Sequence, residues 1–171
     1  GFSFLAIAAW LADDRSLALV SLSIAVAAGA FLLFNFHPAR MFLGDAGSTT
    51  FGYLAAGLGL IGWRDGAWSL WFPMLVFSPF IVDATVTLLR RMVQGERFWQ
   101  AHRTHYYQRL VLRGWSHRKT SLAEYGVMCV CGIGALAFQQ TPGGYQLLIV
   151  GIWALVFFGL SQSVSIVERR I

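Results

Sequence analysis

Two stretches of this 171-residue chain gather the residue types that handle phosphate and divalent cations. The first runs Asn35-Phe36-His37-Pro38-Ala39-Arg40-Met41-Phe42-Leu43-Gly44-Asp45-Ala46-Gly47-Ser48-Thr49-Thr50. Two glycines flank a lone carboxylate, so the backbone can bend tightly and present Asp45, and Ser48 stands where its hydroxyl would cap the next helix. A helix start attracts phosphate through its unpaired N–H groups and its dipole. A carboxylate in the same place suits a hard cation, because Mg²⁺ takes one or two carboxylates and completes its shell with water and phosphate oxygens. On Gly44 to Ser48 alone, a turn closed by an Asx-type hydrogen bond is the simpler reading.

The second stretch is Arg90 to Thr120, where eight basic residues face a single acid, Glu96. Within it lies Glu96-Arg97-Phe98-Trp99-Gln100-Ala101-His102-Arg103-Thr104-His105-Tyr106-Tyr107-Gln108-Arg109. Rings and histidines interleaved with arginines suit a diphosphate bound by Arg beside a base stacked on an aromatic face. A loop that merely holds anionic lipid headgroups, at about 1 kcal/mol per basic side chain, fits equally. His102 and His105, at i and i+3, would share one helical face, but no third ligand stands at a familiar zinc spacing. Asp83, inside an apolar run, is a third candidate because ionisable groups within a membrane span are costly. It lies seven residues before Arg90, roughly 10 Å along a helix, so it belongs to the same side of the bilayer as the basic loop. Its plainer role is a buried partner for Arg90 or Arg91. Pro79 is expected to kink the helix near that level. Asp13 and Asp14 read as a solvated turn, Cys129 and Cys131 as packing residues, and Gly52, Gly57, Gly59 and Gly62 as sites of close helix packing.

The elements that must carry these residues are membrane helices. Apolar residues make up 57% of the chain and charged residues 12%, with 13 basic against 8 acidic side chains; soluble domains average about 45–50% and about 25%. That balance excludes an ordinary soluble domain, a disordered tail and a disulfide-stapled module. Apolar runs cover Phe2 to Ala12, Ser16 to Phe36, Thr49 to Trp63, Ala67 to Leu89, Ser121 to Gln139 and Tyr145 to Val167. A bilayer core needs about 20 helical residues. The sequence therefore predicts an all-α, polytopic transmembrane helical bundle with five full spans and one truncated N-terminal span, in a single membrane domain over 1–171. Its cytoplasmic loops would be 37–48 and 90–120. Three short turns hold only Arg15 and Arg64, whereas the other side holds the remaining 11 basic residues and all four histidines. That side should be cytoplasmic.

The residues Asn35 to Gly52, with their core Met41-Phe42-Leu43-Gly44-Asp45-Ala46-Gly47-Ser48-Thr49, resemble the signature of the polyprenyl-phosphate N-acetylhexosamine-1-phosphate transferases, glycosyl transferase family 4. His102 through Gly114, Trp115 and Arg118 resemble the histidine-bearing cytoplasmic loop of the same family. The likeness is nearer to the bacterial undecaprenyl-phosphate branch that begins O-antigen, lipopolysaccharide and related surface glycans than to the phospho-N-acetylmuramoyl-pentapeptide branch. It implies that an undecaprenyl phosphate oxygen attacks the β-phosphorus of a UDP-N-acetylhexosamine, releasing UMP in the presence of Mg²⁺, or of Mn²⁺ in its place. By matching position, Asp45 is implied as the catalytic metal ligand and His105 as a contact to the diphosphate or sugar. Asn35, Ser48, His102, Arg103 and Arg109 are implied in substrate binding, and Asp83 matches a position that is usually acidic. Tyr107 and Gln108 occupy the later histidine positions of the family's His-x-His-His pattern, and His102 lies upstream of it. The implied setting is the bacterial cytoplasmic membrane with the active face inward, among membrane lipids and without nucleic acid; a homodimer is compatible with it.

The family's adjacent-aspartate motif and its Asn- and Asp-rich loop precede the matched segment, and Asp13-Asp14 lies on the wrong side to replace the former. The expectation is therefore a C-terminal part of a longer transferase, inactive alone. A competing expectation is a non-enzymatic membrane module, such as part of a transporter, in which Asp83 couples ions and the basic loop binds lipid; a scaffold for other glycan enzymes is a third.

Overall fold

The computed structural model describes residues 1–95, 105–139, 141 and 145–169. Among these the secondary structure is helical, with no strand. The helices are α1 (Phe2–Leu11), α2 (Arg15–Asn35), α3 (Gly44–Arg64), α4 (Trp71–Val76), α5 (Ser78–Val93), α6 (Tyr106–Leu112), α7 (His117–Gln139) and α8 (Gln146–Arg169). By length and composition α2 and α7 are apolar enough to cross a membrane, with mean hydropathies of 2.5 and 1.6.

Local chemistry explains most boundaries. Asp13, at φ 60°, turns the chain out of α1, and Asp14 then caps α2 by accepting from the Leu17 N–H at 3.0 Å. Pro38 keeps the residue before it out of the helical region, and Phe36, with ψ 146°, is already extended beyond α2. Gly44, at φ 65°, makes the left-handed step into α3. The apolar run Ala67 to Leu89 is two helices, α4 and α5, separated at Phe77. Pro79 accounts for the interruption. A continuous helix would need its missing N–H and would drive its ring into the preceding turn, whereas in the first turn of a new helix that N–H has no partner to lose.

The basic segment 90–120 is not one loop. Helix α5 continues to Val93, α6 forms within the segment, and α7 begins at His117.

The chain divides into two compact units, Gly1–Phe77 with Val130–Thr141, and Ser78–Cys129 with Pro142–Ile171. In the first, Leu5, Ala8 and Ala9 of α1 are fully buried with Leu17 and Ala18 of α2 beside them in the core. The Phe2 ring lies 5.8 Å from Phe51 and 5.5 Å from Phe77. Small residues let other elements approach closely. Gly132 of α7 receives the Phe4 ring, Gly59 the Pro73 ring and Gly62 the Trp68 ring. The Trp68 indole N–H donates to the Gly59 carbonyl at 3.0 Å, and the Gln139 amide donates to the Ala67 carbonyl at 2.6 Å. Gly52 and Gly57 have no such neighbour, with nothing within 4 Å of a built Cβ, so close packing holds for only two of the four glycines expected to provide it.

In the second unit, Thr87, Arg91 and Thr120 are buried. Helices α5 and α6 come together at Asp83 and Tyr106.

Candidate functional site

The segment joining α2 and α3 folds back on the end of α2. The Phe34 carbonyl accepts from the N–H groups of Arg40 and Met41 at 2.8 and 3.2 Å, and the Asn35 amide donates to the Met41 carbonyl at 2.9 Å. Asn35 thereby shapes the loop that delivers Asp45 to the first turn of α3. Ser48 does not cap that helix. α3 starts four residues earlier, at Gly44, without a side-chain cap, and the Ser48 hydroxyl donates back to the Asp45 carbonyl at 3.1 Å. The polar run Gly44 to Thr50 is already helical, and its hydroxyls bond to the backbone one turn behind, Thr50 to the Ala46 carbonyl at 2.8 Å.

Asp45 is exposed, and a carboxylate in a helix's first turn favours the dipole. Among the described residues no three His, Cys, Asp or Glu side chains cluster as an all-protein metal cage would require. One accessible carboxylate could supply a single protein oxygen to a Mg²⁺ ion that completes its shell with phosphate and water, and the uncapped N–H groups of the helix start suit the phosphate. Asp45 fits that ion.

In the second unit the structure joins two candidates. Asp83 Oδ2 lies 3.2 Å from His105 Nδ1, while Asp83 Oδ1 accepts from the Tyr106 N–H at 3.0 Å and from the Thr87 hydroxyl at 3.2 Å. Asp83 is therefore paired with the histidine loop and not with Arg90 or Arg91. The reason is local: Thr87, one turn along α5, holds the carboxylate on the face that receives the start of α6.

His105 precedes α6 in an extended conformation, φ −61° and ψ 150°, so it is not itself helical. Its own N–H donates to Gln108 Oε1 at 3.3 Å, which ties off the start of α6. The Arg109 guanidinium lies 5.1 Å from the Tyr106 ring centre, and Lys119 lies 4.1 Å from that of Trp115. These two rings of the basic segment thus stack with its own cations. His102 and Arg103 lie outside the described residues.

Asn35, Asp45 and Ser48 belong to the first unit, and Asp83, His105 and Arg109 to the second. The sequence reading passed over Thr87, which bonds Asp83, and one acid near it. Glu124 on α7 lies within electrostatic reach of Asp83. Its signal was available, since it is an acid inside the apolar run Ser121 to Gln139 and carries the same cost that drew attention to Asp83.

Residues 1–63 match the sequence profile described as glycosyl transferase family 4. Among curated relatives, a probable undecaprenyl-phosphate N-acetylglucosaminyl 1-phosphate transferase of Bacillus subtilis is 29% identical over 156 residues, which is 89% of this chain and 44% of the relative. A decaprenyl-phosphate N-acetylglucosaminephosphotransferase of Mycolicibacterium smegmatis is 31% identical over 81% of this chain and 37% of its own length. A phospho-N-acetylmuramoyl-pentapeptide-transferase of Synechococcus is 35% identical over 72% of this chain and 37% of its own. The chain spans less than half the length of these relatives. No solved structure matches it.

Proposed function

The chain belongs to glycosyl transferase family 4, and from that premise we propose that the complete protein transfers N-acetylhexosamine 1-phosphate from a UDP-sugar to undecaprenyl phosphate. An oxygen of the lipid phosphate forms a bond to the β-phosphorus of the donor as the bond from that phosphorus to the bridging oxygen breaks. The products are UMP and a lipid-linked sugar diphosphate on which a surface glycan such as O-antigen is begun. Phosphoryl transfer asks a protein mainly for positioning and for neutralising charge.

The observation that carries the reading is Asp45, an exposed carboxylate in the uncapped first turn of α3, held there by the folded-back Asn35 to Leu43 segment. Asp45 would hold Mg²⁺ or Mn²⁺, which supplies charge neutralisation at the donor diphosphate. His105, Arg109 and, by their sequence position, His102 and Arg103 would bind the anionic donor from the basic segment. The chain would lie in the bacterial cytoplasmic membrane with five full crossings, counting Ala67 to Leu89 as one crossing interrupted at Phe77, and with α1 as a shorter element. The face bearing 11 of the 13 basic residues would be cytoplasmic.

The test is incubation of the purified complete protein with undecaprenyl phosphate, Mg²⁺ and UDP-N-acetylhexosamines. UMP and a lipid-linked sugar diphosphate should appear together and vanish with EDTA. A complete protein that makes neither product from any such donor overturns the proposed reaction.

A further inference from the structure

The corner between α6 and α7 gathers three cations and a histidine on one exposed turn. Gly114, at φ 91°, lies between the two helices, and the Ser116 hydroxyl accepts from the Lys119 N–H at 3.2 Å as α7 begins. Around that corner Arg113, His117, Arg118 and Lys119 are all exposed. Their placement works against the helix. The first turn of α7 holds no acid, although the dipole favours acids there and disfavours cations. Ion pairing does not account for them either, because among the described residues neither Arg118 nor Lys119 is paired with an acid. The Lys119 ammonium lies instead 4.1 Å from the centre of the Trp115 ring. The exposed face then continues as apolar surface. Leu122, Gly126 and Cys129 follow Arg118 at steps of four, four and three residues and are all exposed, whereas Thr120 is buried. Such steps share one side of a helix, so two cations without an acidic partner head an outward apolar strip. Glu124, six residues beyond Arg118, falls on the other side.

From this arrangement we infer that Arg118 and Lys119 hold the phosphate of an anionic membrane phospholipid, with an acyl chain along the exposed strip of α7 and Trp115 at headgroup depth. A tryptophan at the boundary between basic and apolar sequence suits that level, and the cytoplasmic leaflet, which this face meets in the orientation proposed above, is the anionic one. The basic segment is thereby divided. His105 and Arg109 serve the sugar nucleotide, whereas Arg118 and Lys119 lie beyond the seven residues of α6, about 10 Å of helix, and serve the bilayer. A bulk phospholipid is the occupant, and not the polyprenyl acceptor, because the acceptor's phosphate has to reach the donor and cannot be held on an outward face.

The experiment uses the complete protein, labelled with fluorotryptophan and held in phosphatidylcholine nanodiscs. The Trp115 signal is assigned by its loss in Trp115→Phe, and its broadening is followed as phosphatidylglycerol carrying a spin label near the headgroup is titrated in. In the wild type, labelled phosphatidylglycerol should broaden Trp115 at a lower mole fraction than equally labelled phosphatidylcholine. With Arg118→Gln and Lys119→Gln combined, the phosphatidylglycerol midpoint should rise about 30-fold, which is about 2 kcal/mol at about 1.4 kcal/mol per tenfold and follows from about 1 kcal/mol per cation. Removing two charges at the other ends of the helices, by Arg15→Gln with Arg64→Gln, should leave the midpoint where it is. The KM for UDP-sugar should stay the same in the Arg118→Gln, Lys119→Gln protein.

Equal broadening of wild-type Trp115 by the two labelled lipids overturns the inference without any variant. So does an Arg118→Gln, Lys119→Gln protein that titrates like the wild type, or one that loses affinity for UDP-sugar in place of lipid. Undecaprenyl phosphate that displaces the label at a lower mole fraction than unlabelled phosphatidylglycerol assigns the two cations to the acceptor and overturns it as well. The lipid titration needs no turnover. A complete protein that shows the phosphatidylglycerol preference but forms no product therefore keeps this lipid site and loses the proposed reaction, while an active protein without the preference does the reverse.

Discussion

Substituting Gly62 by alanine should loosen the end of α3 opposite Asp45. A Cβ at Gly62 would run into Cζ2 and Cε2 of the Trp68 ring and lie 2.8 Å from its Cη2. Trp68 is 4% exposed, so the indole has no open space into which to retreat. Forcing extra atoms into a packed interior costs about 1–3 kcal/mol. Shifting the ring also stretches the 3.0 Å hydrogen bond from Trp68 to the Gly59 carbonyl, worth about 1 kcal/mol. Against this, alanine is favoured over glycine within a helix by about 1 kcal/mol. The balance is a loss of about 1–3 kcal/mol. Gly57, five residues earlier on α3, meets nothing within 4 Å, so Gly57→Ala keeps the helix gain of about 1 kcal/mol and carries no overlap. In detergent, Gly62→Ala should lower the Tm by about 4–8 °C for a loss near 2 kcal/mol, while Gly57→Ala leaves it unchanged or raised. A Gly62→Ala protein that melts at or above the wild type, or a Gly57→Ala protein that melts as low as Gly62→Ala, would refute the packing described for α3 and Trp68.

Gly44→Ala should cost about 1–2 kcal/mol, entirely through its φ of 65° because no atom lies near a built Cβ, and thermal melts read it directly. Asp14→Ala removes the acceptor for the Leu17 N–H and should destabilise by about 1 kcal/mol without affecting transfer at 25 °C. On the exposed turn after α3, the hydrogen bonds from Arg64 hold the Asp65 carboxyl below the usual carboxylate range. An NMR titration should show Arg64→Gln raising the Asp65 pKa toward its ordinary value, with no measurable change in Tm.

Helix boundaries set by local chemistry were legible in the residues. The run Phe2 to Ala12 became α1 within one residue and Ser16 to Phe36 became α2 within one at each end, because Asp13, Asp14 and Pro38 stop and start helices through contacts only a few residues long. The start of α3 was not legible in the same way. Gly44 to Thr50 is polar and poor in helix formers, and the helix begins there because the Phe34 carbonyl gathers the preceding loop. On its glycine flanks alone Asp45 read as part of a turn, and Ser48 was given a capping role that the start of α3 at Gly44 takes from it. The partnership of Asp83 with His105 joins residues 22 positions apart on different helices, and no spacing rule reports such a contact. Arg90 and Arg91 were nearer in sequence and opposite in charge, yet the docking of α6 decides the pairing.

The most direct test of the account is the Asp45→Asn substitution in the complete protein, with UMP release and UDP-sugar binding measured on the same sample. The substitution preserves the shape of the side chain and removes its charge, so folding and helix α3 should persist while Mg²⁺-dependent UMP release is abolished. A well-folded Asp45→Asn protein that releases UMP at the wild-type rate would contradict the assignment of Asp45 as the acidic centre of the site.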